Sequence, residues 1–235
     1  NYLMHDYPNL VGERRPSVVN AYDNTIRYAD AFVDRLRGTL DDSGYGSDPL
    51  IIHSDHGDEF SEHGNYGHRP QMYDTVTRVP LVMENVGETG RVNGPTSLLD
   101  LASTILDLAD VEERPGDRPS LLEDERVDRE YVTVQNVMED GGRIAAVVGP
   151  EWKVLYYPAG DWGIGSLSEE RWEAYHRESD PLEQNNRWGE HPEELESTLI
   201  DLLKTEAPTE SSEAEDDEEM TAETEKRLRE LGYIE

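Results

Sequence analysis

Hydrophobic periodicity is the feature that most constrains how this chain can fold. Between residues 18 and 40, apolar side chains recur every three or four positions and polar residues fill the gaps between them. This spacing predicts an amphipathic helix of about six turns. The apolar stripe consists of Val18, Tyr22, Ile26, Ala29, Val33, Leu36 and Leu40.

Two short apolar runs, residues 49–52 and 79–83, follow this helix. Runs of this length predict buried parallel strands of an α/β sheet. A second helix is predicted to begin at a cap formed by Ser97 or Thr96. Its buried side is expected to carry Leu98, Leu99, Leu101, Ile105, Leu106 and Leu108. The first half of the chain is therefore predicted to be doubly wound α/β.

The pattern changes after the proline-containing segment 115–119. Residues 131–137, 143–148 and 152–157 are three β-rich runs separated by glycine-containing turns, which predicts an antiparallel sheet. We therefore expect an α/β portion over residues 1–125 and a small α+β subdomain over residues 126–204.

The end of the chain is strongly acidic. Residues 205–225 carry ten acidic groups and no basic one, and they hold too little apolar surface to offset the entropy of ordering. This segment is predicted to be a disordered linker. Residues 226–235 contain leucine, tyrosine and isoleucine again, and we expect them to dock back onto the domain.

The strongly negative net charge of the chain limits the kinds of molecule it is expected to bind. The chain has 53 Asp and Glu against 21 Lys and Arg, a net charge of −32, which argues against binding nucleic acid. Only three basic residues are lysines, and this composition is typical of salt-adapted proteins. The alternative is an ordinary acidic cytosolic protein with an acidic tail.

The chain has no cysteine, which excludes disulfides and thiolate sites within it.

Neither a membrane segment nor a signal peptide is predicted, because no apolar run approaches the ~18 residues of a membrane span. The chain starts at Asn1 within what reads as the middle of an element, so we expect it to be part of a longer protein. A cytoplasmic location is expected, and export stays open because the N-terminus of that longer protein is not in the sequence. The sequence does not indicate an oligomeric state.

A cluster of histidines marks the candidate site. His53, His56, His63 and His68 fall within sixteen residues that begin where the first predicted strand ends, which is where open α/β sheets bind ligands. Asp55 and His56 offer a carboxylate oxygen and an imidazole nitrogen, a pair suited to a divalent cation. Gly57 is expected to let the backbone turn away from the site. The alternative is a solvated loop that happens to be rich in Asp and His.

Several blocks of the sequence resemble the sulfatases, which belong to the alkaline phosphatase superfamily. The central blocks are residues 23–30, residues 51–68 with Ser-Asp-His-Gly at 54–57, and residues 72–81 with Arg-Val-Pro-Leu at 78–81. Residues 99–109 resemble the family's next helix. Residues 152–154, 180–186 and 227–233 resemble its C-terminal subdomain.

The resemblance implies both a fold and a reaction. The fold would be part of an alkaline-phosphatase-like mixed sheet sandwiched by helices, plus a small C-terminal antiparallel β subdomain. The reaction would be hydrolysis of a small-molecule or saccharide sulfate monoester by a formylglycine hydrate. A divalent cation would hold that nucleophile and the sulfate oxygens. The family usually uses Ca²⁺, with Mn²⁺ or Mg²⁺ as alternatives, and Asp55 and His56 match two of its ligands.

The same resemblance implies roles for two further residues. His68 lies where the family places a Lys or His that touches the sulfate, and it would neutralise ester oxygens or protonate the departing alkoxide. His5 lies near another sulfate-contacting histidine of the family, although His5-Asp6-Tyr7-Pro8 departs from the usual order. Arg78 could be a buried arginine paired with a local acid or a substrate contact, and we interpret it as the buried, structural arginine.

The nucleophile itself is missing from this sequence. The family makes formylglycine from Cys or Ser in a C/S-x-P/A-x-R motif, and this chain has no cysteine and no serine in that arrangement. We therefore expect the nucleophile and two further metal-binding carboxylates upstream of Asn1, and no activity from this chain alone. Two alternatives remain: a phosphonate monoester or phosphodiester hydrolase of the same superfamily, and a non-catalytic acidic protein that only binds a cation.

Overall fold

The computed structural model describes residues 15–87, 89–91, 94–111, 116, 118–122, 129–138, 142–162 and 166–205. The chain divides into two units, Asn1–Lys204 and Thr205–Glu235, and every element described below lies in the first. None of the helices in the described ranges is long and apolar enough to cross a bilayer. The predicted linker and terminal segment, apart from Thr205, lie outside the described residues, as does His5.

Helices and strands alternate in the first half, and strands dominate the second. The helices are α1 (Arg15–Asp42), α2 (Asp74–Thr77), α3 (Asp100–Leu108) and α4 (Glu193–Lys204). The strands of the first half are β1 (Leu50–His53), β2 (Glu59–Phe60), β3 (Tyr66–Gly67) and β4 (Leu81–Glu84). Those of the second half are β5 (Val132–Val137), β6 (Arg143–Val148), β7 (Trp152–Tyr157), β8 (Gly160–Asp161), β9 (Ser166–Leu167) and β10 (Arg171–His176).

The first helix forms as predicted and is slightly longer, but its apolar stripe is only partly covered. Tyr22 packs edge-on against Phe60, with ring centroids 4.9 Å apart. Near the other end, Arg37 Nε lies 3.1 Å from Glu84 Oε2. Ile26 and Ala29, between these contacts, are exposed, so the apolar stripe is not covered along its whole length by the described residues. The described residues contact α1 near both ends and leave its middle uncovered.

Strands β1 and β4 form a two-stranded antiparallel sheet, with Ile51 opposite Met83. The prediction of two buried parallel strands is wrong in both respects, because the strands are antiparallel and Val82 is 50 % exposed. Parallel neighbours need a crossover along one face of the sheet, usually a full helix. Here the connection is the short β2–β3 hairpin and the single turn α2, which return the chain in the opposite direction.

Polar contacts orient α3. The N-cap position is Leu99, which makes no side-chain cap bond, so the predicted cap at Ser97 or Thr96 is wrong. Ser97 instead forms the turn before the helix: its Oγ accepts from the Leu99 N–H at 3.3 Å, and the Asp100 carboxylate accepts from the Ser97 N–H at 3.0 Å. Leu99 and Ile105 are 59 % and 52 % exposed, so their predicted burial is also wrong. The face that turns inward carries Asp100, Leu101, Ser103 and Thr104.

Two bonds explain that orientation. Arg129 forms a bidentate ion pair with the fully buried Asp100, at 2.6 and 3.0 Å. The Leu121 N–H donates to Thr104 Oγ1 at 2.8 Å. Buried polar groups are costly only when they lack hydrogen-bond partners. Because Arg129 and the Leu121 N–H supply partners for Asp100 and Thr104, the helix can turn these polar groups inward and leave two apolar side chains exposed.

The second half forms a four-stranded antiparallel sheet in the order β10-β7-β6-β5, which confirms the predicted antiparallel sheet. Alternate residues of β6 and β7 enter two separate cores. One core contains Ile144, Ala146, Leu155 and Tyr157 and extends to Met72 and Tyr73 from the first half. The other contains Ala145, Val147 and Val154 and is covered by Leu195 and Leu199 of α4. The sheet is thus packed on both faces.

The fold class agrees with the prediction of a mixed α/β portion joined to a small antiparallel subdomain. Contacts cross the predicted boundary at residue 125, for example between the Tyr73 hydroxyl and Glu173 Oε2 at 2.9 Å. The boundaries at 125, 204 and 225 stay predictions.

Thr104 provides a test of how α3 is held. We expect Thr104→Val to lower the free energy of unfolding by about 1–3 kcal/mol, because it removes the acceptor of the buried Leu121 N–H while keeping the shape. Urea unfolding followed by circular dichroism measures the loss. The matched control is Thr39→Val on the exposed face of α1, where the hydroxyl bonds only to the Arg35 carbonyl of its own helix. Equal effects in the two variants would contradict this account.

Candidate functional site

The loop that follows β1 fixes the ring of His56. Ser54 Oγ donates to the His56 carbonyl at 2.6 Å, and Asp55 Oδ1 accepts from the His56 N–H at 3.0 Å. His56 Nδ1 lies 3.0 Å from the Gly57 carbonyl, which can only accept, so Nδ1 carries the proton. In the neutral ring this leaves a lone pair on Nε2, the form in which imidazole binds a metal.

Gly57 fixes the loop against α2. Its N–H donates to the Val76 carbonyl at 2.8 Å. A Cβ at position 57 would lie 2.2 Å from the Thr75 carbonyl oxygen, a distance that no side chain tolerates. The glycine is therefore explained by a close approach of two backbones, in addition to the turn expected from the sequence.

Three side chains converge beside this loop. The His68 ring stacks on that of His56, with centroids 3.8 Å apart and an interplanar angle of 29°. His68 Nδ1 lies 3.1 Å from Asp58 Oδ1. Ligand atoms of His56, Asp58 and His68 all lie within 4.8 Å of one another, an arrangement that could hold a metal ion. Sequence reasoning singled out both histidines but missed Asp58, whose position two residues after His56 was the available signal.

Asp55 stands slightly apart from this group. Its side chain is 85 % exposed and its Oδ2 lies 3.8 Å from His56 Nε2. Slight burial favours the neutral form, but backbone N–H groups at 55 and 56 and the nearby imidazoles outweigh it and hold the pKa of Asp55 below its usual range. Asp55 is thus an ionised carboxylate whose Oδ2 lies near Nε2 of His56.

The site opens onto a cleft of about 2200 Å³ that runs along β4 to the edge of β5. Asp55, His56 and His68 line it on one side. Arg78 also lines it and is exposed, so the prediction of a buried Arg78 is wrong. Burial favours the neutral form of Asp74, but Lys153, Arg177 and, more weakly, Arg78 hold its pKa below the usual range, so Arg78 interacts with this local acid electrostatically.

Comparison with known proteins identifies the segment that carries these residues. Residues 2–111 match the family model named Sulfatase. A 79-residue stretch is 35 % identical to the uncharacterized sulfatase YidJ of Escherichia coli K12, covering 33 % of this chain and 15 % of that protein. Residues 2–111 belong to the sulfatase family.

Solved structures show the same fold for most of the chain. BT4656, in complex with its substrate D-glucosamine-2-N,6-O-disulfate, superposes with a TM-score of 0.63 at 21 % identity, covering 86 % of this chain and 43 % of that one. The phosphonate monoester hydrolase of Agrobacterium radiobacter gives a TM-score of 0.61 at 16 % identity, covering 83 % and 41 %. The sulfatase segment and the sheet that follows it span less than half the length of these relatives.

Within the sulfatase segment, two of the four clustered histidines lie away from the candidate site. His53 is exposed at the end of β1. His63 packs flat against Tyr73, with ring centroids 3.6 Å apart, and only 9 % of its side chain is exposed. The spacing in the sequence does not separate these residues from His56 and His68, because all four occupy one short polar segment.

The surroundings of His63 favour its charged form. Its Nε2 lies 3.0 Å from the Leu182 carbonyl and 3.1 Å from the Glu183 carbonyl, while its Nδ1 lies 3.6 Å from the fully buried Glu59 carboxylate. The carbonyls require a proton on Nε2, and Nδ1 faces the carboxylate at a distance too long for a hydrogen bond but short enough for an ion pair. Burial disfavours the charge, but Glu59 and Glu183 outweigh it and raise the pKa of His63 above 6.5.

Glu59 is correspondingly held as an anion. Burial alone would favour its neutral form. Its carboxylate accepts bonds from the N–H groups of His63 and Asn65 and from the Gln71 side chain. Together with His63, these donors lower the pKa of Glu59.

The His63 pair predicts a specific dependence of stability on pH. Because the folded pKa of His63 exceeds its unfolded value, its contribution is complete below pH 6.5 and is lost as the pH rises through the folded value. We expect the free energy of unfolding to fall over that range. His63→Gln should abolish this slope and cost about 1–3 kcal/mol near pH 6, because it leaves Glu59 without its cation.

Urea unfolding at a series of pH values measures this effect. The control is His53→Gln, which changes an exposed histidine of the same segment and should retain the slope. A wild-type stability that is flat above pH 6.5 would show that His63 is not held as the cation.

Proposed function

We propose that this chain carries part of the active site of a metal-dependent hydrolase of sulfate monoesters. The observation that carries the proposal is the convergence of His56, Asp58 and His68 beside Asp55, at the carboxyl end of β1 and within the sulfatase segment. That end of a strand is the usual ligand-binding end in α/β folds.

Asp55 and His56 are the proposed metal ligands. The donor set fits a divalent cation, because Asp55 is ionised and His56 presents a lone pair at Nε2. When bound, the cation would polarise the ester oxygens and hold the nucleophile. The family resemblance favours Ca²⁺, with Mn²⁺ or Mg²⁺ as alternatives, and an imidazole ligand suits Mn²⁺ better than Ca²⁺. Further oxygen ligands are proposed to come from residues upstream of Asn1.

His68 is the proposed acid or ester-binding group. The Asp58 carboxylate accepts at His68 Nδ1 and fixes the ring, so Nε2 is the atom that would act on the ester. In the imidazolium form, Nε2–H can donate to a sulfate oxygen or give its proton to the departing alkoxide. Asp58 would stabilise that imidazolium, as a carboxylate behind a catalytic histidine does in other hydrolases. His5 remains a proposed second contact to the sulfate.

The nucleophile is proposed to be a formylglycine located upstream of Asn1, since no residue of this chain lies in the motif that produces it. On this proposal the 235 residues alone do not turn over substrate, because nothing is positioned to attack the sulfur. A saccharide sulfate is the favoured substrate class, and the sulfated glucosamine bound by BT4656 supports it. A cytoplasmic location and a salt-adapted origin remain proposals from composition.

A specific observation favours a second candidate. The Asp55-His56 pair places imidazole where many sulfatases place an asparagine, and the Asp-His form also occurs in relatives that hydrolyse phosphonate monoesters and phosphodiesters. The phosphonate monoester hydrolase of Agrobacterium radiobacter shares the fold. The third candidate, a non-catalytic cation-binding protein, predicts binding without turnover in any longer form.

Metal binding can be tested on this chain directly. We expect Mn²⁺ and Ca²⁺ to bind, and Asp55→Ala and His56→Ala each to weaken binding at least about tenfold, because each removes one of few ligands. Isothermal titration and elemental analysis measure it. The control is His53→Ala, an exposed histidine two residues before Asp55. Unchanged stoichiometry and affinity in both site variants would exclude these ligands.

Turnover separates the candidate reactions. In a longer protein that includes the upstream residues, we expect hydrolysis of p-nitrophenyl sulfate, and none from the 235 residues alone. His68→Ala should lower kcat by about 10²–10⁴, and less for an aryl ester than for an alkyl one, because an aryl leaving group needs less protonation. Faster hydrolysis of bis-p-nitrophenyl phosphate would favour the second candidate. An unimpaired His68→Ala variant would make that histidine structural.

A further inference from the structure

The two halves of the chain meet at a buried ammonium group. Lys153 of β7 is fully buried, and its Nζ lies 2.8 Å from Asp74 Oδ1 and 3.0 Å from Glu183 Oε1. Thr77 Oγ1 lies 3.3 Å from the same nitrogen. A buried ammonium needs such partners, because its desolvation is otherwise prohibitive. Lys153 therefore ties α2 to the sheet of the second half.

Glu183 fastens α2 in a second way. Its Oε2 accepts from the Asp74 N–H at 2.5 Å, which satisfies a donor at the first residue of that helical turn. To reach this position Glu183 adopts a φ of 53°, a left-handed conformation that is rare outside glycine. A strained residue that is fully engaged by its neighbours indicates a constrained turn.

The charges of this cluster are unequal. Burial favours the neutral form of Asp74, but Lys153 and more distant arginines hold its pKa below the usual range. Burial raises the pKa of Glu183, and Lys153 opposes this only in part. Asp74 is thus the firmer anionic partner of Lys153, and Glu183 pairs with Lys153 and also accepts at the helix start.

The position of α2 in turn sets the position of the site loop. The Val76 carbonyl accepts from the Gly57 N–H, and the Thr75 carbonyl occupies the space where a Cβ of residue 57 would lie. Gly57 stands between His56 and Asp58. A displacement of α2 by even one ångström would move both of these side chains.

The same turn of the second half also contacts the far side of the loop. The carbonyls of Leu182 and Glu183 accept from His63 Nε2, and Gln184 Nε2 donates to the Glu62 carbonyl at 2.9 Å. His68 lies between His63 and α2 in the sequence. The residues around 182–184 therefore hold the segment that carries His68 at both of its ends.

We propose that Lys153 is a positioning residue for the candidate site: its ion pairs with Asp74 and Glu183 fix α2, and α2 fixes the loop that carries His56 and Asp58. The proposal builds on the proposed function only where it refers to cation binding and catalysis. The positional coupling between Lys153 and Gly57 can be measured without either.

Amide hydrogen exchange on the full 235-residue chain tests this coupling. In Lys153→Met, we expect the Gly57 amide to exchange at least about tenfold faster than in the wild type, after correction for the change in global stability. The amide of Val147 in the centre of the four-stranded sheet reports global unfolding. If Lys153 only stabilised the fold as a whole, its replacement would accelerate exchange of the Gly57 and Val147 amides by the same factor.

Two further variants make the result decisive. Arg129→Met is the matched control, because it also leaves a buried carboxylate, Asp100, without its cation, but at α3 instead of α2. Arg129→Met should not accelerate exchange of the Gly57 amide beyond what its loss of global stability explains. Glu183→Gln replaces Lys153→Met if that variant fails to fold, since the amide oxygen can still accept from the Asp74 N–H while the charge and the acceptor facing Lys153 are lost. It should accelerate Gly57 in the same direction by a smaller factor.

A titration with Mn²⁺ extends the test to the site. Lys153→Met should weaken Mn²⁺ binding by about tenfold, whereas Arg129→Met should not, as expected for a change behind the ligands. If the wild type does not bind Mn²⁺, the proposed function fails while the exchange result still decides the coupling. The positioning role would be overturned if exchange of the Gly57 amide followed global stability in Lys153→Met. The same outcome in Glu183→Gln would overturn it where that variant is used.

Discussion

The Lys153 ion cluster is the interaction on which the arrangement of the described fold depends. A sheet packed on both faces needs no charge in its interior, yet β7 places an ammonium group there. Replacing a buried ion pair by apolar residues often leaves stability unchanged or improves it, so stability alone is a weak reason for such a cluster. A charged group does, however, restrict its partners to one geometry. Apolar packing between α2 and β7 would tolerate sliding that the bonds from Lys153 Nζ do not.

Buried charges in this protein depend on local pairing. The chain has three lysines in 235 residues, and one of them, Lys153, is fully buried. Most acidic groups of the described residues lie outside the buried core, where they interact weakly with each other across the screening length. The few buried carboxylates, such as Glu59, Asp100 and Glu183, are each held by a cation or by several N–H donors. Local pairing, and not the overall charge, decides the state of these groups.

Sequence patterns predicted the elements well where one periodicity dominated. The stripe from Val18 to Leu40 predicted α1, and the β-rich runs after residue 130 predicted β5, β6 and β7. Periodicity could not predict which way β4 runs relative to β1, because direction depends on the connection, and a four-residue strand looks the same in both. It also missed the orientation of α3, since bonds to Arg129 and Leu121, distant in sequence, decided which face turns inward.

Sequence patterns predicted which residue types form the candidate site, but not which histidine has which role. The segment from His53 to His68 drew attention to four similar imidazoles, and what separates them is the set of acceptors around each ring. Because acceptors lie at Nδ1 of both rings, the proposed roles rest on Nε2: a lone pair for a metal at His56 and, in the imidazolium form only, an N–H donor at His68.

Acceptors around its ring favour the charged form of His63, and two of them are carbonyls of the turn at Leu182 and Glu183, about 120 residues away in the sequence. That turn belongs to the half of the chain outside the sulfatase match, so the role of a histidine inside the match is decided by residues beyond it. The same turn holds Asp74 and Lys153. Residues of the second half therefore bind His63 to the scaffold, whereas the acceptors at Nδ1 of His56 and His68 lie within the sulfatase match itself.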